Sequence, residues 1–278
     1  MNKVYKNRDE FLCSVFDRAA SAFGSKGPKY FQYFGKRLVE LSNLQPKMKV
    51  LDVATGRGAS LFPVVEIIGQ LGFVTGIDFS KEMIVETKKE IRYEGYNNVQ
   101  LLQMDAESLE FDDNSFDYVL CGLSIQFFTK YTDALREMNR VLKPNGRLGL
   151  STWKRKDTTP FFMNIVAKYL RDVCVPYNMN KERGEFGTDE SLRKMLSDVG
   201  FRKIQVIEEH KTFYYKNEDE WWQEQWSHAG RAAFELIKNL GDEVYNQFKE
   251  EVSKKLVENT DSKGIPFEAS ILYAFGDK

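Results

Sequence analysis

Three carboxylates stand at the ends of short apolar runs: Asp52 in "VLDVATGRGAS", Asp78 in "GIDFS" and Asp105 in "QMDAES". Each run reads as a strand, so the three acids would stand at successive strand ends. The first acid leads into a turn with two glycines, Gly56 and Gly58. A strand feeding such a turn and then a helix presents backbone N–H groups at the carboxyl end of a sheet, where open α/β sheets bind ligands. The turn is not a dinucleotide fingerprint, because Leu61 occupies the third glycine position. It is not a P-loop either, because Gly58-Ala59-Ser60 lacks the lysine. Asp52 has the wrong sign for pyrophosphate and suits a ligand carrying an ammonium or sulfonium group. Asp78 follows the glycines at the spacing from which a carboxylate accepts hydrogen bonds from ribose hydroxyls. Asp105, ending the third run, can reach an adenine amino group.

The elements that must position these acids follow from periodicity. "KVLDVA", "FVTGID", "NVQLLQMD", "FDYVLCGL" and "GRLGLSTW" read as five strands. Between them lie helical patterns. Ser80 caps one that carries Met83, Ile84, Thr87 and Ile91 on one side. Another places Ala134, Leu135, Met138, Val141 and Leu142 together and ends at a turn in "KPNG". Strands separated by helices predict right-handed crossovers and a mostly parallel sheet. The first and fourth strands are dense in apolar residues, as strands covered on both faces are. Residues before 45 read as amphipathic helix. After 153 the pattern predicts a helix through "FFMNIVAKYLRDV" and another from Thr188 to Gly200. A strand follows in "RKIQVIEEHKTFYY", then one long helix with Trp222, Trp226, Ala229, Ala233 and Ile237 on a stripe. A helix over about 241–258 and a last strand in "FEASILYAFG" complete the chain. The expected organisation is an N-terminal helical lid (1–45), a Rossmann-like α/β core (46–153), a helical cap with a sixth strand (154–265) and a last strand returning to the core (266–278).

These motifs carry a resemblance. "VLDVATGRG", "GIDFS", "MDAESLEF", "FDYVLCGLSIQFF" and "REMNRVLKPNGRLGLSTW" resemble the successive motifs of class I S-adenosylmethionine-dependent methyltransferases, in particular the ubiquinone/menaquinone-biosynthesis branch. The likeness is close over about 45–153. It implies a seven-stranded sheet with an antiparallel last strand, S-adenosyl-L-methionine as cofactor and S-adenosyl-L-homocysteine as product. It also implies roles. Asp52, Ala54, Thr55 and Gly56 would line the methionine half, and Asp78 would hold the ribose. Phe79 and Met83 would lie against the adenine, with Asp105 and Ala106 at its edge. Leu123 and Ser124 would sit beside the sulfonium, and Gln126 and Phe127 would face the acceptor. Where the family usually has glycine this chain has Ala54, which narrows the turn.

A sulfonium methyl is already activated, so the enzyme's main task is to align the acceptor and exclude water. Only two histidines exist, His210 and His228, and His228 in the cap is the better candidate base. Aromatic residues make up 14% of the chain, so a stacking wall is expected. Trp222 and Trp226 are its candidates in the cap, and Tyr30 and Phe34 in the lid, with Tyr30 also a candidate catalytic residue. The acceptor is therefore expected to be a largely apolar or planar small molecule, methylated at O, N or C by in-line displacement.

Other classes fit less well. A net charge of -1 gives no basic field for nucleic acid. "GLSI" also stands where amino-base methyltransferases carry an Asn/Asp-Pro-Pro-aromatic motif. Cys174 precedes Val175 rather than proline, against a cytosine-C5 nucleophile. The scattered Cys13, Cys121 and Cys174 suggest neither disulfides nor a metal site, so no metal is expected. The remaining alternative is a cofactor-binding scaffold or cyclase without methyl transfer. With no signal-peptide pattern and no apolar run of spanning length, the expectation is a cytoplasmic monomer or homodimer.

Overall fold

The computed structural model describes residues 7–24, 28–155, 161–171, 173 and 185–278. Seven strands form one sheet in the order β3-β2-β1-β4-β5-β7-β6. They are β1 (Lys49–Val53), β2 (Phe73–Asp78), β3 (Val99–Gln103), β4 (Phe116–Gly122), β5 (Leu142–Trp153), β6 (Arg202–Tyr215) and β7 (Ile265–Asp277). The strands from β3 to β5 pair in parallel, while β7 runs antiparallel to both β5 and β6. The strand order reverses between β1 and β4, which opens a crevice at their carboxyl ends.

Both faces of the sheet are covered, and side-chain alternation assigns each residue to one face. Val50, Val74, Tyr118, Leu120, Tyr273 and Phe275 face α2 (Lys29–Ser42), α3 (Leu61–Ile68) and α4 (Lys81–Glu94). Leu51, Val53, Val119, Cys121, Leu148, Leu272 and Ala274 face α5 (Tyr131–Val141) and α7 (Asp189–Asp198). Phe34, Leu38, Leu61 and Leu135 are completely buried. Each such side chain contributes roughly 1.5–3 kcal/mol. Helix α1 (Arg8–Phe23) crosses over the strand ends and packs chiefly on α4. Four further helices cover one another around Phe234 and Phe248: α6 (Phe161–Tyr169), α8 (Glu218–Trp226), α9 (Arg231–Lys238) and α10 (Asp242–Glu258).

Several expected elements differ. The "KPNG" turn does not separate helix from strand. Chain pairing resumes at Leu142, directly after α5, and the extra residues form a bulge in which Asn145 takes φ 65°. The expected long helix of the Trp stripe is two helices, α8 and α9. Side chains capture the backbone between them: Ser227 Oγ donates to Glu224 O at 2.6 Å, and His228 Nδ1 accepts from Gly230 N at 2.9 Å. The sixth strand lies in the main sheet beside β7, and α7 packs on it. Cys174 lies outside the described residues.

Candidate active site

The three acids meet as expected from their strand ends. Asp52, Ala54, Thr55, Gly56, Asp78, Phe79, Met83, Asp105, Ala106, Leu123, Ser124 and Phe127 all line one cavity at the carboxyl ends of β1–β4. Its empty space, including the open mouth, is about 1550 Å³.

The loop after β1 is held open by unusual backbone. Ala54 takes φ 54° and Gly56 φ 52°. The left-handed conformation costs a non-glycine residue such as Ala54 roughly 1–2 kcal/mol. Hydrogen bonds hold it there: Thr55 N donates to Ile77 O at 2.8 Å, and Gly56 N donates to Asp78 Oδ2 at 2.8 Å. Thr87 Oγ1, from α4, donates to Gly56 O at 2.8 Å. Asp78 Oδ1 accepts from Ser80 N at 2.9 Å, so the same carboxylate ties the loop to the start of α4. Asp52 Oδ2 accepts from Thr55 Oγ1 at 2.6 Å. Asp105 Oδ1 accepts from Glu107 N at 2.9 Å.

Burial raises the two strand-end acids above the usual carboxylate range. Asp52 is pushed up to about 7, chiefly by burial, with Thr55 opposing and the nearby Asp78 adding to the rise. Asp78 is pushed up to about 6, again by burial, against the Ser80 and Gly56 N–H donors. A cationic ligand would relieve both. The donor set therefore fits a molecule with hydroxyls for Asp78 and positive charge beside Asp52.

On the far side of β4, Leu123 takes φ 51°. Its N–H donates to Ser151 Oγ at 3.1 Å, and its carbonyl accepts from Gln126 Nε2 at 2.7 Å. Gln126 thus shapes the turn from behind and does not line the cavity, although it was expected to face the acceptor. Cys121 Sγ and Ser124 Oγ lie 3.1 Å apart, and burial pushes the thiol up to about 12.

The aromatic wall comes from residues that periodicity did not single out. Phe16 and Phe23 of α1 and Phe31 of α2 line the cavity with Phe127. Phe23 and Phe31 stack at 5.0 Å, and Phe16 meets Phe127 edge-on at 5.1 Å. Tyr30 and Phe34 point the other way, into the sheet-facing core beside Trp153 and Phe213. Trp222 and Trp226 pack on Phe234 at 5.3 and 5.4 Å, inside the cap. Trp222 Nε1 is satisfied there by Glu218 at 2.9 Å. His228 is half-buried beside Phe31, 6.2 Å between ring centroids, and its neighbour Ala229 lines the cavity. Burial pushes its pKa down to about 4, and Nδ1 already accepts Gly230 N–H. The ring is therefore neutral, with Nδ1 engaged by the backbone. His210, on β6, bonds Ser270 at 2.8 Å, away from this site. Helical period was the available signal: Tyr30 and Phe34 share a stripe with the buried Leu38, and Phe31 lies one residue off it.

Known proteins match this chain. The model of the ubiE/COQ5 methyltransferase family matches residues 29–212. The chain belongs to that family. Demethylmenaquinone methyltransferase of Staphylococcus aureus (strain JH9) is 35% identical over 74% of this chain and 86% of its own. Aklanonic acid methyltransferase DauC of Streptomyces sp. (strain C5) is 38% identical over 54% of this chain and 69% of its own. The crystal structure of YcgJ protein from Bacillus subtilis has the same fold, with a TM-score of 0.59 at 20% identity over 88% of this chain and 98% of its own. The chain is thus an S-adenosylmethionine-dependent methyltransferase with the sheet of its class. No helix among the described residues is long and apolar enough to cross a membrane.

Proposed function

We propose that this methyltransferase acts on a planar, largely apolar small molecule, and that the acceptor lies against Phe16, Phe23, Phe31 and Phe127. The observation that carries the reading is the position of these four rings. They border one cavity together with Leu123 and Ser124, and Phe23 stands beside Gly56. When bound, S-adenosylmethionine supplies an activated methyl group, and the C–S electron pair passes to sulfur as the acceptor–carbon bond forms. Asp78 would hold the ribose, with Asp105, Ala106, Phe79 and Met83 around the adenine. Asp52, Ala54, Thr55 and Gly56 would bracket the methionine half. The phenylalanines would stack the acceptor, orient it toward the methyl and keep water out.

Asp9 and Cys13, on the same helix as Phe16 and Phe23, also line the cavity. Acceptors that ionise readily or carry a free lone pair need no enzyme base for this transfer. Demethylmenaquinone and aklanonic acid, named for the two relatives, are the first acceptors to assay. The test is transfer of a labelled methyl group to a panel of planar and non-planar acceptors. Methylation confined to non-planar polar amines would overturn the reading.

A further inference from the structure

We propose that Arg57 is a positioning residue that locks lid helix α1 onto the cofactor loop, and so keeps Phe16 and Phe23 in place as the acceptor wall. The proposal rests on that wall being the acceptor subsite. Arg57 lies between the two loop glycines and its side chain is only 8% exposed. Its guanidinium spans two helices. Nη1 donates to Ala20 O, in the last turn of α1, and Nη2 pairs with Glu90 of α4. The last turn of a helix carries unsatisfied carbonyls and partial negative charge, so a cation there is favoured. Among the described residues Nε has no partner, so these two bonds carry the anchoring.

The fit is close as well as polar. A Cβ on Gly24, the residue after α1, would come within 2.8 Å of Arg57 Cζ. The chain leaves the helix directly over the guanidinium plane. Phe23 stands beside the loop, 4.0 Å from where a Cβ on Gly56 would sit. Other ties also hold α1, among them a bond from Arg231 to Arg18 O. Asp17 accepts Ser80 Oγ at 2.6 Å, Arg8 donates to Phe127 O at 2.9 Å, and Arg18 bonds Glu235 at 3.0 Å. Arg57 issues from the loop after β1, which would contact the methionine half of the cofactor. A shift of that loop on cofactor binding would reach the lid through this side chain.

Arg57→Met and Arg57→Lys test the idea against wild type. The readouts are steady-state kinetics and amide hydrogen exchange, with and without S-adenosylhomocysteine. Arg57→Met is expected to raise the acceptor KM about tenfold or more, the factor set by losing one charge-assisted hydrogen bond. kcat at saturation should change far less. Exchange should quicken in α1, and ligand-induced protection of α1 should vanish while that of β1 and β2 persists. Arg57→Lys, which keeps the charge, should recover part of both effects. Glu90→Gln loosens the same clamp without touching the loop, and should shift α1 exchange in the same direction even if Arg57→Met fails to fold. Unchanged α1 exchange in Glu90→Gln and in the folded Arg57 variants would overturn the latch. So would a loss of kcat with no change in KM. If wild-type α1 is protected through Arg57 but Phe16→Ala leaves acceptor KM unchanged, the latch stands and the acceptor subsite fails.

Discussion

Helices α1 and α8 both carry large aromatic side chains at helical spacing, Phe16 and Phe23 on the first, Trp222 and Trp226 on the second. The rings of α1 face an open cavity, whereas those of α8 face Phe234. What lies opposite accounts for the difference. Helix α1 crosses the strand ends at the rim of the cavity. It fastens itself by Phe11, Leu12 and Val15, which pack with Phe127 and Ala232, and by polar ties at its ends. Helix α8 sits among α6, α9 and α10, and together they bury a small core of their own. Aromatic content alone does not separate a binding wall from a core. The surface opposite the ring does.

This contrast can be broken by mutation. Phe234→Ala should have the largest effect, a loss of about 3–5 kcal/mol of stability, because it empties the centre of the cap core. Thermal or denaturant unfolding measures it, and cofactor affinity in the surviving fold should stay near wild type. Trp222→Ala should follow in the same direction with a smaller loss, and acceptor KM should not move. A Trp222→Ala enzyme with full stability and altered acceptor selectivity would falsify the division between wall and core.

Asp78→Ala comes next. The carboxylate closes the loop through Gly56 N and Ser80 N and would also hold the ribose. Hydrogen bonds to a charged group are worth about 1.5–3 kcal/mol each. Cofactor affinity by calorimetry should therefore fall about 10–100-fold. Phe16→Ala should act on the other ligand: acceptor KM rises about tenfold, cofactor affinity holds, and stability drops less than for Phe234→Ala.

The smallest effect is with pH, and it separates the two regions again. Asp52 and Asp78 in the cavity are raised to about 7 and 6, and Glu224 in the cap to about 7, in each case mainly by burial. A carboxyl whose folded pKa lies above its unfolded value stabilises the fold at low pH and loses that contribution as pH rises through the folded pKa. The free enzyme should therefore lose melting temperature between about pH 4 and pH 7. S-adenosylmethionine, a cation, favours the ionised acids, so its affinity should rise over the same range and offset the cavity's share. Glu224 should be unaffected by cofactor. Affinity that weakens with rising pH would place the raised acids away from the cofactor's positive charge.

The cofactor half of the site was legible in the chain because its instructions are local. Asp52, Asp78 and Asp105 each end a strand, and βαβ topology brings successive strand ends to one edge of the sheet whatever the details of packing. The alternation of apolar residues likewise named most of the core. The proposed acceptor half was decided by tertiary structure. Tyr30 and Phe31 are adjacent, and about 100° of helix rotation, set by how α2 docks on the sheet, sends one ring into the core and the other into the cavity. Gln126 and Phe127 divide in the same way across one short turn. The break between α8 and α9 depends on Ser227 and His228 capturing backbone groups, which a hydrophobic stripe running through Trp222, Trp226 and Ile237 conceals. Arg57 had no visible purpose until Ala20 and Glu90, far apart in sequence, met around its guanidinium. A strand end carries its position in its own residues, whereas a side chain's partner across the fold is set only when separate elements pack together.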